Sequence, residues 1–257
     1  MQRFDGRRVL VTGGGAGIGQ AVTLRLLAEG AHVVAVDIAE DALEATAELA
    51  GEDVDERLCT LTGDVAEESS VADFMATALH HLGGLDVLMN NAAVLHAAHT
   101  HETSLDLWNR TIAVNLTGMF LVTRAALPAL TATGNGVVVT IGSTAGSFTH
   151  PFLSAYAATK GGVQAFSRAI AAEYADQGLR AVTIQPAGID TGMPARVGET
   201  LPEGADIMLL ARNVSLLTKG ALVPPDRVAG VGDGRLRRRP VHHRHRDPRR
   251  RRRARVS

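Results

Sequence analysis

A single cysteine, Cys59, stands in 257 residues. One cysteine excludes an internal disulfide, and a chain without one is expected in a reducing cytoplasm. Cys59 itself reads as a small buried apolar residue rather than a nucleophile. Long apolar runs are missing as well, none approaching the ~20 residues that cross a bilayer. The opening MQRFDGRRVLVTGG passes straight into a strand-like segment and lacks the layout of a secretory signal. No internal repeat and no interdomain linker interrupts the chain. Lysine and tyrosine are scarce, two of each, so a motif built from both stands out from chance. The rest is ordinary: 46% hydrophobic and 21% charged residues fit a globular protein with room for one sizeable core.

Charge is unevenly spread. Residues 232–257 carry twelve arginines against Asp233 and Asp247, a net of +10, which leaves −11 for residues 1–231 of a chain whose total is −1. A block of like charge with almost no apolar residues builds neither a strand nor a core. The expected organisation is therefore one folded domain over 1–231 and a basic, disordered tail over 232–257. The tail reads as a shifted reading frame at the 3′ end of a GC-rich coding region. The alternative is a genuine basic tail that binds nucleic acid, and nucleic acid is not the expected partner.

From residue 7 to about 185 short β-branched runs alternate with longer alanine- and leucine-rich stretches. Strands are predicted at 7–12, 32–37, 57–62, 85–90, 136–142 and 180–185, and helices at 17–30, 40–50, 67–82, 104–131 and 154–177. Ser104 and Asp41 read as helix starts. This alternation implies right-handed βαβ crossovers and a doubly wound α/β parallel sheet, with its ligand crevice at the carboxyl ends of the strands. Residues 191–224 are loop-rich, with room for helical stretches.

The first strand runs into Thr12-Gly13-Gly14-Gly15-Ala16-Gly17-Ile18-Gly19 and then a helix. Glycines let the backbone turn sharply and approach a pyrophosphate, and the helix N-terminus offers free N–H groups. The second strand ends at Asp37, eighteen residues after Gly19. A carboxylate there suits the adenosine ribose hydroxyls and repels a 2′-phosphate; taken alone it could equally be a solvated strand end. Ile38 follows it, and no Arg or Lys lies between Gly13 and Gly19, so NAD is expected over NADP. Asp64-Val65 either borders the adenine ring or, for Asp64, caps the next helix. Asn90-Asn91-Ala92-Ala93 ends the fourth strand with small residues that suit close passage of a cofactor.

Tyr156 and Lys160, four apart on a predicted helix, share a face and follow the fifth strand. A nearby ammonium lowers a phenol's pKa, which suits Tyr156 to acid/base work. Ser143, at the end of that strand, can donate to a substrate oxygen as charge develops on it. T-G-x-x-x-G-x-G, N-N-A-x, a helix Asn, a Ser and then Tyr-x-x-x-Lys, in this order, resemble the short-chain dehydrogenase/reductase family over residues 4 to about 231. The match is to its shorter single-domain branch.

The resemblance implies an NAD-dependent oxidoreductase acting on a secondary alcohol or ketone. It makes Tyr156 the catalytic acid/base, has Lys160 bind the nicotinamide ribose, has Ser143 polarise the substrate oxygen and has Asn115 hold a relay water. It places Gln185 to Thr191 beside the nicotinamide, naming Pro186, Gly188, Ile189 and Thr191. Two small departures occur: Pro-Ala stands where the family has Pro-Gly, and Ala93 where it has Gly. The resemblance also implies a homo-oligomer, dimer or tetramer, joined through helices 104–131 and 154–177.

It further implies a last helix and a seventh strand ending in D-G-G, which the arginine block replaces. A six-stranded sheet with an exposed sixth strand follows, unless the tail is misread. A nucleotide-binding module without turnover is the rival function. His96, His99 and His101, beside Glu102, have the residue types of zinc ligands; a solvated loop at the substrate mouth is expected instead, with no metal. Met193, Arg196, Met208, Leu209 and Leu210 suggest a partly apolar substrate.

Overall fold

The structure is a computed structural model that describes residues 2–54, 56–206, 208–209 and 222–229. Six strands form one parallel sheet in the order β3-β2-β1-β4-β5-β6. They are β1 (Arg8–Thr12), β2 (His32–Asp37), β3 (Leu58–Thr62), β4 (Val87–Asn90), β5 (Val137–Ile141) and β6 (Arg180–Ile184). Each lies within the run predicted for it. The order reverses between β1 and β4, and that reversal opens the crevice at the carboxyl ends. Thr12, Asn90 and Ile141 are the last residues of the three strands that border it.

Valine and leucine dominate these strands because both faces of the sheet are covered. Side chains alternate: Leu10, Val34, Leu88 and Val138 enter one core with Phe74, Val122 and Ile170. Val9, Val33, Met89 and Val139 enter the other with Val22, Leu26 and Val228. The covering helices are α1 (Gly17–Ala28), α2 (Glu40–Ala50), α3 (Glu68–Leu82), α4 (Leu105–Ile112), α5 (Met119–Ala132) and α6 (Ser154–Glu173). Helix α7 (Gly192–Thr200) falls in the loop-rich region, and α8 (Pro225–Ala229), just beyond it, packs on α1.

Two local expectations are corrected. The predicted helix 104–131 is three pieces: α4 and α5 are joined by a π-helical stretch, Ala113–Gly118. Helix α2 starts from Ala39, ahead of the expected Asp41, and Ala39 N–H donates to Asp37 Oδ1 at 3.2 Å. Ser104 does cap α4, accepting from Leu107 N at 3.1 Å. By length and apolarity alone Leu105–Ala132 would be long enough to cross a bilayer, which the run lengths had not suggested. Val122, Ala126 and Leu130 of this stretch lie in the core against β4 and β5. Among the described residues β6 is an outer strand, half-buried along its whole length. The expected basic tail, the 231/232 boundary, the replaced seventh strand and Leu210 lie outside the described residues.

Leu88, in the central strand β4, has no exposed surface. Leu88→Ala is expected to lower stability by about 3 kcal/mol through lost burial and the cavity left behind. In urea the midpoint then falls while the slope is unchanged; an unmoved midpoint would show that the core does not close on this strand.

Candidate active site

The crevice begins where β1 ends. Gly13 adopts φ +67°, a conformation that a side chain disfavours. A Cβ on Gly19 would overlap the Gly13 carbonyl oxygen, so the turn and the start of α1 touch backbone to backbone. Ala16 brings no side-chain cap to α1, which leaves the first-turn amides of Gly17, Ile18 and Gly19 for an anion. Asn91, after β4, donates from Nδ2 to Gly13 O at 3.0 Å. The backbone amides of Asn91 and Ala92 donate to Thr12 Oγ1 at 3.1 and 3.3 Å. The two strands at the reversal are thus stitched together through Thr12 and Asn91. These uncapped amides and the Cβ-free turn fit a dinucleotide pyrophosphate.

Asp37 closes the turn from the β2 side. Its Oδ2 accepts from Gly15 N at 3.0 Å and its Oδ1 from Ala39 N. Each oxygen keeps a further lone pair, so the carboxylate remains able to accept from a ligand hydroxyl. Ile38 is 59% exposed beside it. Asp64 does not cap α3, whose cap position is Glu67; its Oδ1 accepts from Ala66 N at 2.8 Å and its Oδ2 lies 3.6 Å from Arg110. Val65 is buried over Gly118.

On the far side, the segment after β6 folds back on the crevice. Pro186 O accepts from Thr144 N at 3.1 Å, and Gly188 O accepts from Val223 N at 2.9 Å. Ile189 is buried and pairs with Val223. Thr191 caps α7, accepting from Met193 N, and its methyl lies 3.1 Å from where a Cβ on Gly17 would sit. The glycine turn and this segment therefore meet.

Tyr156 and Lys160 lie one turn apart on α6, both buried. The Lys160 ammonium donates to Ile141 O at 2.8 Å and stands 5.5 Å from the centre of the Tyr156 ring. Ser143, just beyond β5, accepts from Ala145 N at 3.1 Å and stands near enough to the Tyr156 phenol to favour its ionised form. Asn115 sits inside the π-helical stretch, a feature often found at functional sites. Its Oδ1 accepts from Val94 N at 2.7 Å, and its Nδ2 donates to Val94 O at 2.8 Å and Thr159 Oγ1 at 3.3 Å.

Several contributors escaped the sequence. Gln164, one turn beyond Lys160, donates to Ser143 O at 3.5 Å and accepts from Ser147 Oγ at 3.1 Å. Its spacing of four from Lys160 was the available signal. Tyr156 belongs to an apolar cluster with Ala97, Ala145 and Leu153, against which Leu95, Phe152, Val197 and Leu201 pack. Phe152 holds φ +65°, the one non-glycine residue described with positive φ, and its carbonyl accepts from Ala98 N at 2.9 Å. Ala97 N donates to Thr200 Oγ1 at 3.0 Å, which ties α7 to the loop after β4. In that loop His99 and His101 stack at 5.4 Å, and His99 meets the Phe152 ring edge-on.

A family model described as short chain dehydrogenase matches residues 7–202. The chain belongs to the short-chain dehydrogenase family. This short-chain dehydrogenase is 38% identical over 196 residues to 2,5-dichloro-2,5-cyclohexadiene-1,4-diol dehydrogenase LinX of Sphingobium indicum, covering 76% of the chain and 78% of that protein. It is also 38% identical over 217 residues to cis-4-hydroxycyclohexanecarboxylate dehydrogenase of Sinomonas cyclohexanicum, covering 82% and 86%. Among solved structures it resembles 3-ketoacyl-(acyl-carrier-protein) reductase from Brucella melitensis complexed with NADH. The TM-score there is 0.78 at 28% identity, over 88% of this chain and 89% of that one. The chain is an oxidoreductase that takes a nicotinamide cofactor.

The electrostatics differ from the simplest expectation. Burial pushes the Tyr156 phenol above its ordinary pKa, and the hydrogen bond with Ser143 only partly opposes this. Lys160 presents its charge to the Ile141 carbonyl and the ring face, while burial lowers its own pKa to about 8. A cation whose folded pKa is depressed binds its proton more weakly in the folded chain than in the unfolded one. Between about 8 and the ordinary 10.5 the unfolded chain then holds the extra proton, and stability rises with pH. The thermal midpoint is expected to climb across that window, and Lys160→Met to flatten the climb. Parallel profiles for the two proteins would show that this ammonium is not desolvated.

Proposed function

We propose that this short-chain dehydrogenase exchanges a hydride between NAD(H) and a ring-borne secondary alcohol or its ketone, with Tyr156 as acid and base. The observation that carries the reading is the placement of Tyr156 one turn before Lys160 on α6, both buried, with the phenol in an apolar cluster at the crevice and the ammonium 5.5 Å from its ring centre. Turn residues Thr12, Gly13, Gly17, Ile18 and Gly19 would hold the pyrophosphate, and Asp64 and Val65 would border the adenine. Asn91, Ala92, Pro186, Gly188, Ile189 and Thr191 would flank the nicotinamide. When bound, the nicotinamide ring supplies or accepts the hydride.

In the reducing direction the Tyr156 phenol gives its proton to the substrate oxygen, and in the oxidising direction its phenolate takes one. Because burial raises its pKa, the phenol prevails at neutral pH and oxidation gains as pH rises. Ser143 donates to the substrate oxygen where charge develops. Lys160 carries a positive charge that favours the phenolate and donates to the ribose hydroxyls, and Asn115 anchors the relay.

NAD is supported over NADP by the Asp37 carboxylate at the ribose end, with no cation between Gly13 and Gly19 to receive an extra phosphate. A ring-bearing substrate is supported by the apolar wall and by the six-membered-ring substrates, a cyclohexadiene diol and a hydroxycyclohexane carboxylate, named for the two relatives. A cytoplasmic homo-oligomer is part of the same reading. Exposed Trp108 and Phe120, the latter edge-on to Phe166, give the expected dimer helices an apolar surface.

Titration of the purified chain with NADH and NADPH is expected to favour NADH by about tenfold or more, through repulsion of the 2′-phosphate by Asp37. A preference for NADPH would sink the Asp37 argument. On a panel of cyclic alcohols, Tyr156→Phe is expected to lower kcat by about 10³-fold while NADH affinity is kept. Turnover surviving that change would remove Tyr156 from the chemistry.

A further inference from the structure

On the side of the glycine turn that faces α2, two side chains outside the motif grip its backbone. Thr46 of α2 has no exposed surface. Its Oγ1 lies 3.2 Å from both Gly14 O and Gly15 O, which share its proton with Ala42 O at 3.0 Å in its own helix. Gln20 of α1 donates from Nε2 to that hydroxyl at 3.0 Å and to Gly15 O at 3.2 Å. Gly14 and Gly15 are buried. Among the described residues Thr46 and Gln20 are the donors to their two carbonyl oxygens. A buried carbonyl left without a donor is unfavourable, so this pair binds the turn to α2.

The Gly14 carbonyl and the Gly15 N–H belong to one peptide unit. Thr46 holds its oxygen, and Asp37 Oδ2 accepts from its N–H at 3.0 Å. Planarity points the two groups in opposite directions, so a grip on one end orients the other. In the next unit Gly15 O is drawn toward Gln20 and Thr46, which turns the Ala16 N–H away from α2. Space is short on this side: a Cβ on Gly15 would lie 2.8 Å from Ala42 Cβ and 3.1 Å from Asp37 Oδ2.

We propose that Thr46 and Gln20 are positioning residues of the nucleotide site, which act through the Gly14–Gly15 peptide to fix the Asp37 carboxylate and so set the discrimination against a 2′-phosphate. The discrimination rests on the part given to Asp37 above, whereas the grip on the peptide does not. Released from Thr46, the peptide is free to rotate and Asp37 loses the Gly15 N–H as its donor. The carboxylate then leaves the place where it meets ribose hydroxyls and repels a phosphate.

Thr46→Val removes the hydroxyl at nearly unchanged shape, and Thr46→Ser keeps it. The full chain is titrated with NADH and with NADPH, well below the thermal midpoint of each variant. Thr46→Val is expected to bind NADH about fivefold more weakly and to narrow the preference over NADPH by a similar factor. Thr46→Ser should retain both properties. Adding Gln20→Leu to Thr46→Val should cost little more than the valine alone, because the two side chains act on one segment. A merely structural role lowers the midpoint and leaves the ratio of NADH to NADPH affinity untouched; that outcome, or a serine that behaves like valine, overturns the proposal. Amide hydrogen exchange at Gly15, with no nucleotide present, separates failure of the grip from failure of the Asp37 reading. Faster exchange in Thr46→Val but not in Thr46→Ser is expected, and unchanged exchange overturns the grip. Faster exchange in a chain whose unmodified form favours NADPH sinks the ribose part given to Asp37, and the step from grip to discrimination with it. If the valine variant does not fold, Gln20→Leu at a half-buried position carries the same measurements.

Discussion

Burying one ammonium at the end of β5 is the constraint around which the site is arranged. Lys160 is 3% exposed, and a lysine taken out of water must find acceptors or give up its proton. The Ile141 carbonyl is available because β5 ends there and its last backbone groups pass out of the sheet ladder. That contact fixes the height of α6 over the sheet. With the helix fixed, Tyr156 one turn earlier comes beside Ser143 in the loop after β5, and Gln164 one turn later reaches the Ser143 carbonyl. One helix face at a spacing of four thus places the phenol, the ammonium and the amide that reaches the Ser143 carbonyl.

The glycine turn meets a complementary constraint, closeness of backbone rather than burial of charge. Gly19 lies against the Gly13 carbonyl, and Asn91 donates to that same oxygen. A side chain at either glycine would separate β1 from β4 where the strand order reverses. Both constraints fall on the same edge of the sheet, which is why the turn and the Tyr156 face share one crevice. The segment after β6 seals it, since Pro186 holds the loop carrying Ser143 and Thr191 abuts Gly17.

The sheet was legible because strands buried on both faces read as unbroken β-branched runs, and each of the six was bounded to within about two residues. The site residues were legible where a motif tied residue type to spacing, as with the glycines or Tyr156 and Lys160. What escaped follows from physics that a pattern of apolar residues does not carry. An inserted residue in a helix leaves the amphipathic period nearly intact, so the π-helical stretch around Asn115 was read as plain helix. The left-handed backbone of Phe152 has no sequence signal, because the contacts that hold it come from Ala98 and the loop after β4. Asp37 was read for a ligand, yet its two oxygens also organise the backbone, one in the glycine turn and one at the start of α2.

The balance of charge at Tyr156 depends on both of these constraints. A phenol buried among Ala97, Ala145 and Leu153 resists ionisation, because apolar surroundings raise the cost of the phenolate. Nearby Ser143 offsets part of that cost, and Lys160 can add to the offset only while it keeps its own proton. Each group's protonation therefore depends on how wet its neighbour is. The apolar wall and the buried cation act as one electrostatic unit, so a substitution on either is felt at the phenol oxygen.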